Sequence, residues 1–392
     1  MKQLIFTIIA VLTIGQFVSA QSYIDALLTE IEQNNTSLSA IQKTVEAEKM
    51  GNKTGIQLQN PEVEFHYLWG DPSAIGNRTD ISVQQSFDFP SAYAYRNQIA
   101  DLKNEQAELE YKRQKMDIFL QTRMICAELT YQNALRTEYQ KRQKNASRIA
   151  KSVETKLNAG EANILDHNKA KVTLLNTEAE LRHIEIQRQT LLQQLATLNG
   201  GKTVDFENAD FENVVITADF DQWMTQAAVN NPMLAWLKQD IEISDKNARL
   251  QTAQSLPKLN AGYMSEKVVG EHFQGVTVGI SIPLFENKNT VKYARLRSEA
   301  AQQRVIDEKL RFYNEMKMQH DKAIALQENI AKFREQLTLQ NDLELLKKAL
   351  DKGAISLGEY LFELTVYYDS LEKLLEMQLE LSITYSRLLI YS

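Results

Sequence analysis

The chain has 392 residues, length enough for two ordinary domains, yet only 14 Gly and 6 Pro interrupt it, and its richness in Gln, Glu, Lys, Leu and Ala favours long helices. A single cysteine, Cys126, excludes an intrachain disulfide, so packing or oligomerisation must hold the fold. A net charge of −7, without any basic run interleaved with aromatics, speaks against a nucleic-acid partner.

Residues 1–20 read as a secretory signal peptide. Lys2 gives the positive start, Leu4 to Ile14 the apolar run, and Val18-Ser19-Ala20 a small-residue cleavage site. The run is too short to span a bilayer as a helix, and with no Cys after the site no lipid attachment is expected there. Ile24, Leu27, Leu28, Ile31, Leu38 and Ile41 then recur at helical spacing and predict one helix from Tyr23 to about Gly55.

From Pro61 the period changes to two. Val63, Phe65, Tyr67 and Trp69 alternate with Glu62, Glu64, His66 and Leu68, and after a turn region Ile81, Val83, Gln85, Phe87 and Phe89 alternate with Asp80, Ser82, Gln84, Ser86 and Asp88. Such alternation predicts a hairpin over 61–90. Ser91 to about Leu157 holds neither Pro nor Gly, which predicts one helix of roughly 100 Å at 1.5 Å per residue. Asn158-Ala159-Gly160 turns the chain into a return helix from about Asn163 to Leu198, and 201–219 reads as an irregular linker.

The order then repeats. A helix is predicted over Phe220 to Ser255, followed by a hairpin over 257–283. In it Leu259, Ala261 and Tyr263 alternate with Lys258, Asn260 and Gly262, and Val276, Val278, Ile280 and Ile282 with Thr277, Gly279 and Ser281. Asn287 to Asp351 is again free of Pro and Gly and predicts a second very long helix, turned at 351–355 into a last helix from Ser356 to Tyr391. Residues 21–200 and 220–392 are thus two structural repeats. Asp25, Thr29, Asn34, Asn35, Leu38, Pro61 and Tyr67 recur at one offset as Asp221, Thr225, Asn230, Asn231, Leu234, Pro257 and Tyr263, and Pro90 and Gly160 return, equally far apart, as Pro283 and Gly353. Matched helices that must end at one level explain the constant Pro-to-Gly span.

The strands have the length and two-faced alternation of membrane-spanning β-strands, but four cannot close a barrel, and an open edge in hydrocarbon leaves backbone groups unpaired. Strands from other copies are required, and the smallest symmetric solution of useful bore is a homotrimer with a twelve-stranded barrel. Glu62, Glu64, His66, Ser82, Gln84, Thr277 and Ser281 would face its lumen and the aromatic face lipid. A soluble periplasmic coiled-coil scaffold or adaptor is the alternative, weakened because isolated hairpins are only marginally stable.

The same residues resemble the TolC-like outer-membrane efflux family over essentially the whole chain after the leader. Asn231-Pro232-Met233-Leu234, Leu256-Pro257-Lys258-Leu259 and Ser281-Ile282-Pro283-Leu284-Phe285 are similar to its local motifs, and Gln85-Ser86-Phe87-Asp88-Phe89-Pro90 is closer to its heavy-metal branch. The resemblance implies a mainly α fold with a small β part. Long coiled-coil helices and β-hairpins in tandem would build a trimeric barrel in the Gram-negative outer membrane, continued by a periplasmic α-helical tunnel. It implies passive conduction of substrates delivered by a periplasmic adaptor and an inner-membrane pump, the RND type favoured, with heavy-metal cations or drugs as cargo. A type I protein-secretion duct shares the fold. Carried over by position, Leu157, Asn158, Ala159, Gly160 and Glu161, with Asp351, Lys352, Gly353, Ala354 and Ile355, would form the adaptor-docking tips, and Asp166 and Glu359 a gate ring. Phe362 and Ile355 depart from the charged residues that the family pattern suggests there. Five scattered histidines and the lack of a phosphate loop, nucleophile elbow or zinc motif give no reason to expect a catalytic residue, metal or cofactor.

Overall fold

A computed structural model describes residues 20–285, 287–339 and 343–392. The leader expected over 1–20 lies outside the described residues, except Ala20. The chain runs α1 (Ala20–Asn34), α2 (Thr36–Gly51), β1 (Glu62–Leu68), β2 (Arg78–Phe87), α3 (Pro90–Asn158), α4 (Ile164–Leu198), α5 (Phe220–Asn230) and α6 (Pro232–Gln254). It continues through β3 (Lys258–Val268), β4 (Glu271–Ser281), α7 (Thr290–Leu339), α8 (Leu343–Asp351) and α9 (Leu357–Leu389). The long Pro- and Gly-free stretch becomes the 69-residue α3, near 100 Å at about 1.5 Å per residue.

Two predicted helices are each divided. The first breaks at Asn35, whose Oδ1 accepts the Leu38 N–H at 2.9 Å and whose Nδ2 donates to the Leu198 carbonyl at 2.8 Å. The helix predicted from Phe220 breaks at Asn231, whose side chain accepts the amides of Met233 at 2.8 Å and Leu234 at 3.2 Å while Pro232 opens α6. In both places an Asn side chain replaces the helical partner of a freed amide, and Pro232 has no N–H to satisfy. The helix predicted over Asn287 to Asp351 is described as α7 and α8, with residues 340–342 outside the described set.

Two compact units emerge. One comprises the chain up to Leu38, Lys115–Ala227 and Asn314–Ser392. Its cores stack along the helices: Leu27 and Ile31 of α1 meet Ile125, Cys126 and Leu129 of α3, Leu191 and Leu195 of α4, and Phe206. Burial pushes the Cys126 thiol up to about 12, so it stays protonated and unreactive at neutral pH. Residues 201–219 are irregular. Their backbone is strapped to the helices, with Asn133 Nδ2 donating to the carbonyls of Phe206 at 3.1 Å and Asn208 at 2.9 Å.

The other unit, Ser39–Gln114 with Ala228–Tyr313, holds the sheet. Ala92 and Ile99 of α3 pack against Ile243, Leu250 and Ala253 of α6. Four antiparallel strands lie in the order β1-β2-β3-β4, so the hairpins are joined through β2 and β3, with Val83 opposite Tyr263 and Phe87 opposite Leu259. β1 and β4 are left as edges.

Candidate functional site

The register decides which side chains share a face. Glu62 lies opposite Gln84, Gln84 opposite Gly262, and Gly262 opposite Thr277. Glu64 lies opposite Ser82, His66 opposite Asp80, and Ser281 opposite Lys258. All seven polar strand residues singled out in the sequence therefore come together on one side of the sheet. Arg78, on the same side, donates from Nε to both Asp80 oxygens at 2.9 and 3.0 Å and pairs with Glu266 at 3.2 Å. Met264 and Phe273 also fall on this side by register, an apolar intrusion that the alternation in the sequence did not foretell.

The other face carries Val63, Phe65, Tyr67, Ile81, Val83, Leu259, Tyr263, Val276, Val278 and Ile280. It is open: Phe65 is 64% exposed, Val276 84% and Val278 83%. An uncovered apolar face spanning four strands marks a contact with lipid or another protein. Towards the β3–β4 turn the same face becomes polar, where Ser265 Oγ lies 2.8 Å from His272 Nε2. Two tyrosine hydroxyls find polar partners, Asn77 Nδ2 donating to Tyr67 at 2.7 Å and Tyr263 donating to Gln274 at 2.9 Å.

The paired helix turns form the second part of the site. After α3 the chain reverses at Gly160, with φ +77°, and the Glu161 N–H reaches the Lys156 carbonyl at 2.8 Å. After α8 it reverses at Gly353, with φ +72°, and the Ala354 N–H reaches the Ala349 carbonyl at 2.8 Å. Both are left-handed glycine helix ends that satisfy otherwise orphaned carbonyls. Asn158, Ala159, Gly160 and Glu161, like Asp351, Lys352, Gly353 and Ala354, are exposed, with Leu157 and Ile355 half-buried. The turns share one apolar floor, because Ala162 and Ile355 pack on the same cluster of Ile149, Val153, Ala170, Leu357, Tyr360 and Leu364. Arg148 of α3 also lies 3.5 Å from Asp351.

Asp166 and Glu359 sit just beyond the turns in equivalent capping positions. Asn163 opens α4, accepting the Asp166 N–H at 2.8 Å while its Nδ2 donates to the Asp166 carboxylate at 2.8 Å. Ser356 opens α9 with a reciprocal capping box: the Glu359 N–H donates to Ser356 Oγ at 3.1 Å and the Ser356 N–H to Glu359 Oε2 at 2.8 Å. The Ser356 backbone N–H first, and the Ser356 hydroxyl second, stabilise the Glu359 carboxylate and hold it below the ordinary carboxylate range.

Arg142 went unnoticed in the sequence. Only 7% exposed, it lies between the Tyr139 ring at 4.4 Å and the Tyr368 ring at 4.1 Å and is ion-paired with Glu372, to which Tyr139 also donates at 3.0 Å. Tyr139 is one turn away on α3, but Tyr368 and Glu372 come from α9, at the far end of the chain, so spacing gave no signal. Among the described residues no group of three His, Cys, Asp or Glu could hold a metal ion, and no helix is long and apolar enough to cross a membrane.

No protein-family model matches the sequence, and no curated protein matches it. Solved structures do. A membrane protein from Pseudomonas aeruginosa superposes with a TM-score of 0.78 at 14% identity, over 95% of this chain and 92% of the other. The CmeC outer membrane channel of Campylobacter jejuni gives 0.75 at 12% identity, over 94% and 85%. The open state of the MtrE outer membrane channel of Neisseria gonorrhoeae gives 0.69 at 14% identity, over 94% and 88%. At such identities the likeness speaks for the fold, and that fold is the TolC-like one of these outer membrane channels.

Proposed function

We propose that this chain is the outer-membrane channel of a tripartite efflux system and works as a homotrimer. The open-edged sheet with one bare apolar face carries the reading. Backbone groups on the outer edges of β1 and β4 cost several kcal/mol each if left unpaired in hydrocarbon. Three copies that pair β4 of one with β1 of the next satisfy both edges and close a twelve-stranded barrel. The apolar face then meets lipid, and Glu62, Glu64, His66, Ser82, Gln84, Thr277 and Ser281 line the water-filled lumen.

In this reading the turns at 157–161 and 351–355 dock a periplasmic adaptor, and three chains offer six such contacts, fed by an inner-membrane pump of the RND type. Asp166 and Glu359 narrow the entrance as fixed negative charges held in place by their caps. Conduction is passive and needs no catalytic residue, so the pump chooses among cargoes such as heavy-metal cations or drugs. The principal test is extraction and reconstitution. Detergent should be required to release a trimer that conducts ions across a planar bilayer, and a monomer released without detergent would refute the assignment. At the tip, Gly353→Asp should abolish export with trimer yield unchanged, and full export would count against docking there.

A further inference from the structure

The channel reading puts the junction of strands and helices at one surface of the bilayer, where charge is unevenly spread. The whole chain carries −7, yet residues 287–298, which lead from β4 into α7, contain Lys288, Lys292, Arg295 and Arg297 and no acidic residue. Arg249 stands in the last turns of α6, just before β3. Lys288, Lys292, Arg295 and Arg249 are exposed, and none has a side-chain hydrogen bond or ion pair among the described residues.

Helical spacing divides these cations between the two sides of the α6–α7 layer. Ala294, Ser298 and Ala301 are buried, and the Ser298 hydroxyl donates to Asp245 of α6, so this stripe of α7 faces α6. Tyr293 and Arg297 lie to one side of the stripe, where they line a cleft with Ser244, Asn247 and Gln251 of α6. Lys292 and Arg295 lie to the other side, and Arg249, four residues after Asp245, stands there one turn nearer the sheet. The nearest acidic residues on that side, Glu299 and Asp245, come a turn farther from the sheet, and Asp245 is taken up by Ser298.

Chirality decides which side continues the apolar face of the sheet. Residues 269–270 form a two-residue turn, so Val268 and Glu271 exchange backbone hydrogen bonds, and by parity so do Glu266 and Phe273 on the polar face. For L-residues this sets β4 to the right of β3 when the polar face is viewed with β3 rising from α6. α7 then descends beneath β4 with α6 on its left. In a right-handed helix Arg295, about 100° on from Ala294, lies behind, on the side of the apolar face, and Tyr293 and Arg297 lie in front. Exposed Ile282, Leu284 and Phe285 join the strand to these cations. A bare apolar wall ending in unpaired cations fits a bilayer whose surface is anionic, with side-chain stems along the acyl chains and charges at the phosphates.

We infer that Arg249, Lys292 and Arg295, with Lys288 in the preceding turn, form a binding surface for anionic phospholipid headgroups in the leaflet nearer the helices. The surface rests on the channel reading and adds a lipid preference to it. It is tested on the full-length trimer in uncharged detergent, titrated with phosphatidylglycerol, phosphatidylcholine or inorganic phosphate, with bound lipid counted by native mass spectrometry. Phosphatidylglycerol should bind at least tenfold more tightly than phosphatidylcholine, by the order of fivefold for each basic contact.

Arg249→Gln, Lys292→Gln and Arg295→Gln combined should remove most of that preference. Arg297→Gln, on the polar side of the same helix, should keep it, as should Lys292→Arg with Arg295→Lys, which retains both charges. A preference that survives the triple variant, or falls equally with Arg297→Gln, would overturn the surface. Displacement of the lipid by inorganic phosphate at equal concentration would show a free-anion site instead and would also overturn it. A trimer that binds both lipids equally would remove the surface and leave the channel reading intact, whereas a monomer released without detergent would remove both.

Discussion

The Glu359 carboxylate accepts the Ser356 amide while the Glu359 backbone N–H donates to the Ser356 hydroxyl, so the residue's charge and its capping role separate by substitution. Glu359→Gln keeps an acceptor for the Ser356 amide and removes the charge. Amide exchange around 356–360 should stay slow while cation preference in bilayer recordings falls. Glu359→Ala should lose both. The sign with pH follows from the lowered carboxyl pKa. The capping contribution is fully present above the unfolded value of about 4.3 and disappears as pH falls through the lower folded value. The protection of the 356–360 amides, relative to their intrinsic exchange, should therefore fall only in that acid window, and Glu359→Gln should remove this fall. The cap was legible in the sequence, since Ser356-x-x-Glu359 is a capping box and Asn163-x-x-Asp166 its near relative. Arg142 was not legible at all, because its two tyrosines and Glu372 meet only through packing of α3 on α9. Arg142→Met should keep the apolar contact yet cost on the order of 2 kcal/mol, the loss of a charge-assisted bond and its ring contacts, read as a lower thermal midpoint in detergent.

At the scale of elements, glycines with the same backbone sign differ in what surrounds them. Gly160 and Gly353 have φ of +77° and +72° with nothing within 4 Å of an added Cβ, so Ala at either should cost about 1 kcal/mol from backbone strain alone. Gly200 has φ +66°, but an added Cβ would stand 2.3 Å from the Asn34 carbonyl oxygen. Gly200→Ala must push α1 away from the end of α4, and its thermal midpoint should fall further than that of either tip variant. An equal fall in all three would show that the close approach to Asn34 relaxes freely. These turns were readable because a glycine ends an uninterrupted helical run. The breaks at Asn35 and Asn231 were not recognised, since apolar spacing continues across both and period alone cannot see a single capped residue. Pro232 carried the missing signal, as proline fits the first turn of a helix but not its interior. Pairing of β2 with β3 lay beyond the sequence, for nothing local specifies which distant strand completes a sheet. Each strand's alternation nevertheless specified the two faces once they met, because register preserves parity, with Met264 and Phe273 the exceptions on the polar side.

At the scale of the whole molecule the two faces of the sheet make opposite predictions for the same substitution. Val278 and Thr277 are chain neighbours near the middle of β4 and point to opposite sides, Val278 opposite Ala261 and Thr277 opposite Gly262. If the apolar face meets hydrocarbon, Val278→Arg should cost about 2–4 kcal/mol, the penalty for Arg on a barrel's lipid face near the bilayer midplane, and trimer recovered from the outer membrane should drop sharply. Thr277→Arg faces water, so assembly should survive while three added cations in the lumen lower cation conductance, an effect that weakens as salt screens them. Equal loss of assembly for both variants would mean that both faces are packed against protein. Equal tolerance would mean that the bare apolar face never enters a membrane, and the channel assignment would fall with it. One residue's shift along β4 therefore discriminates lipid-facing barrel from protein-covered sheet more directly than any change to the helices, whose long polar surfaces suit a tunnel and a soluble scaffold alike.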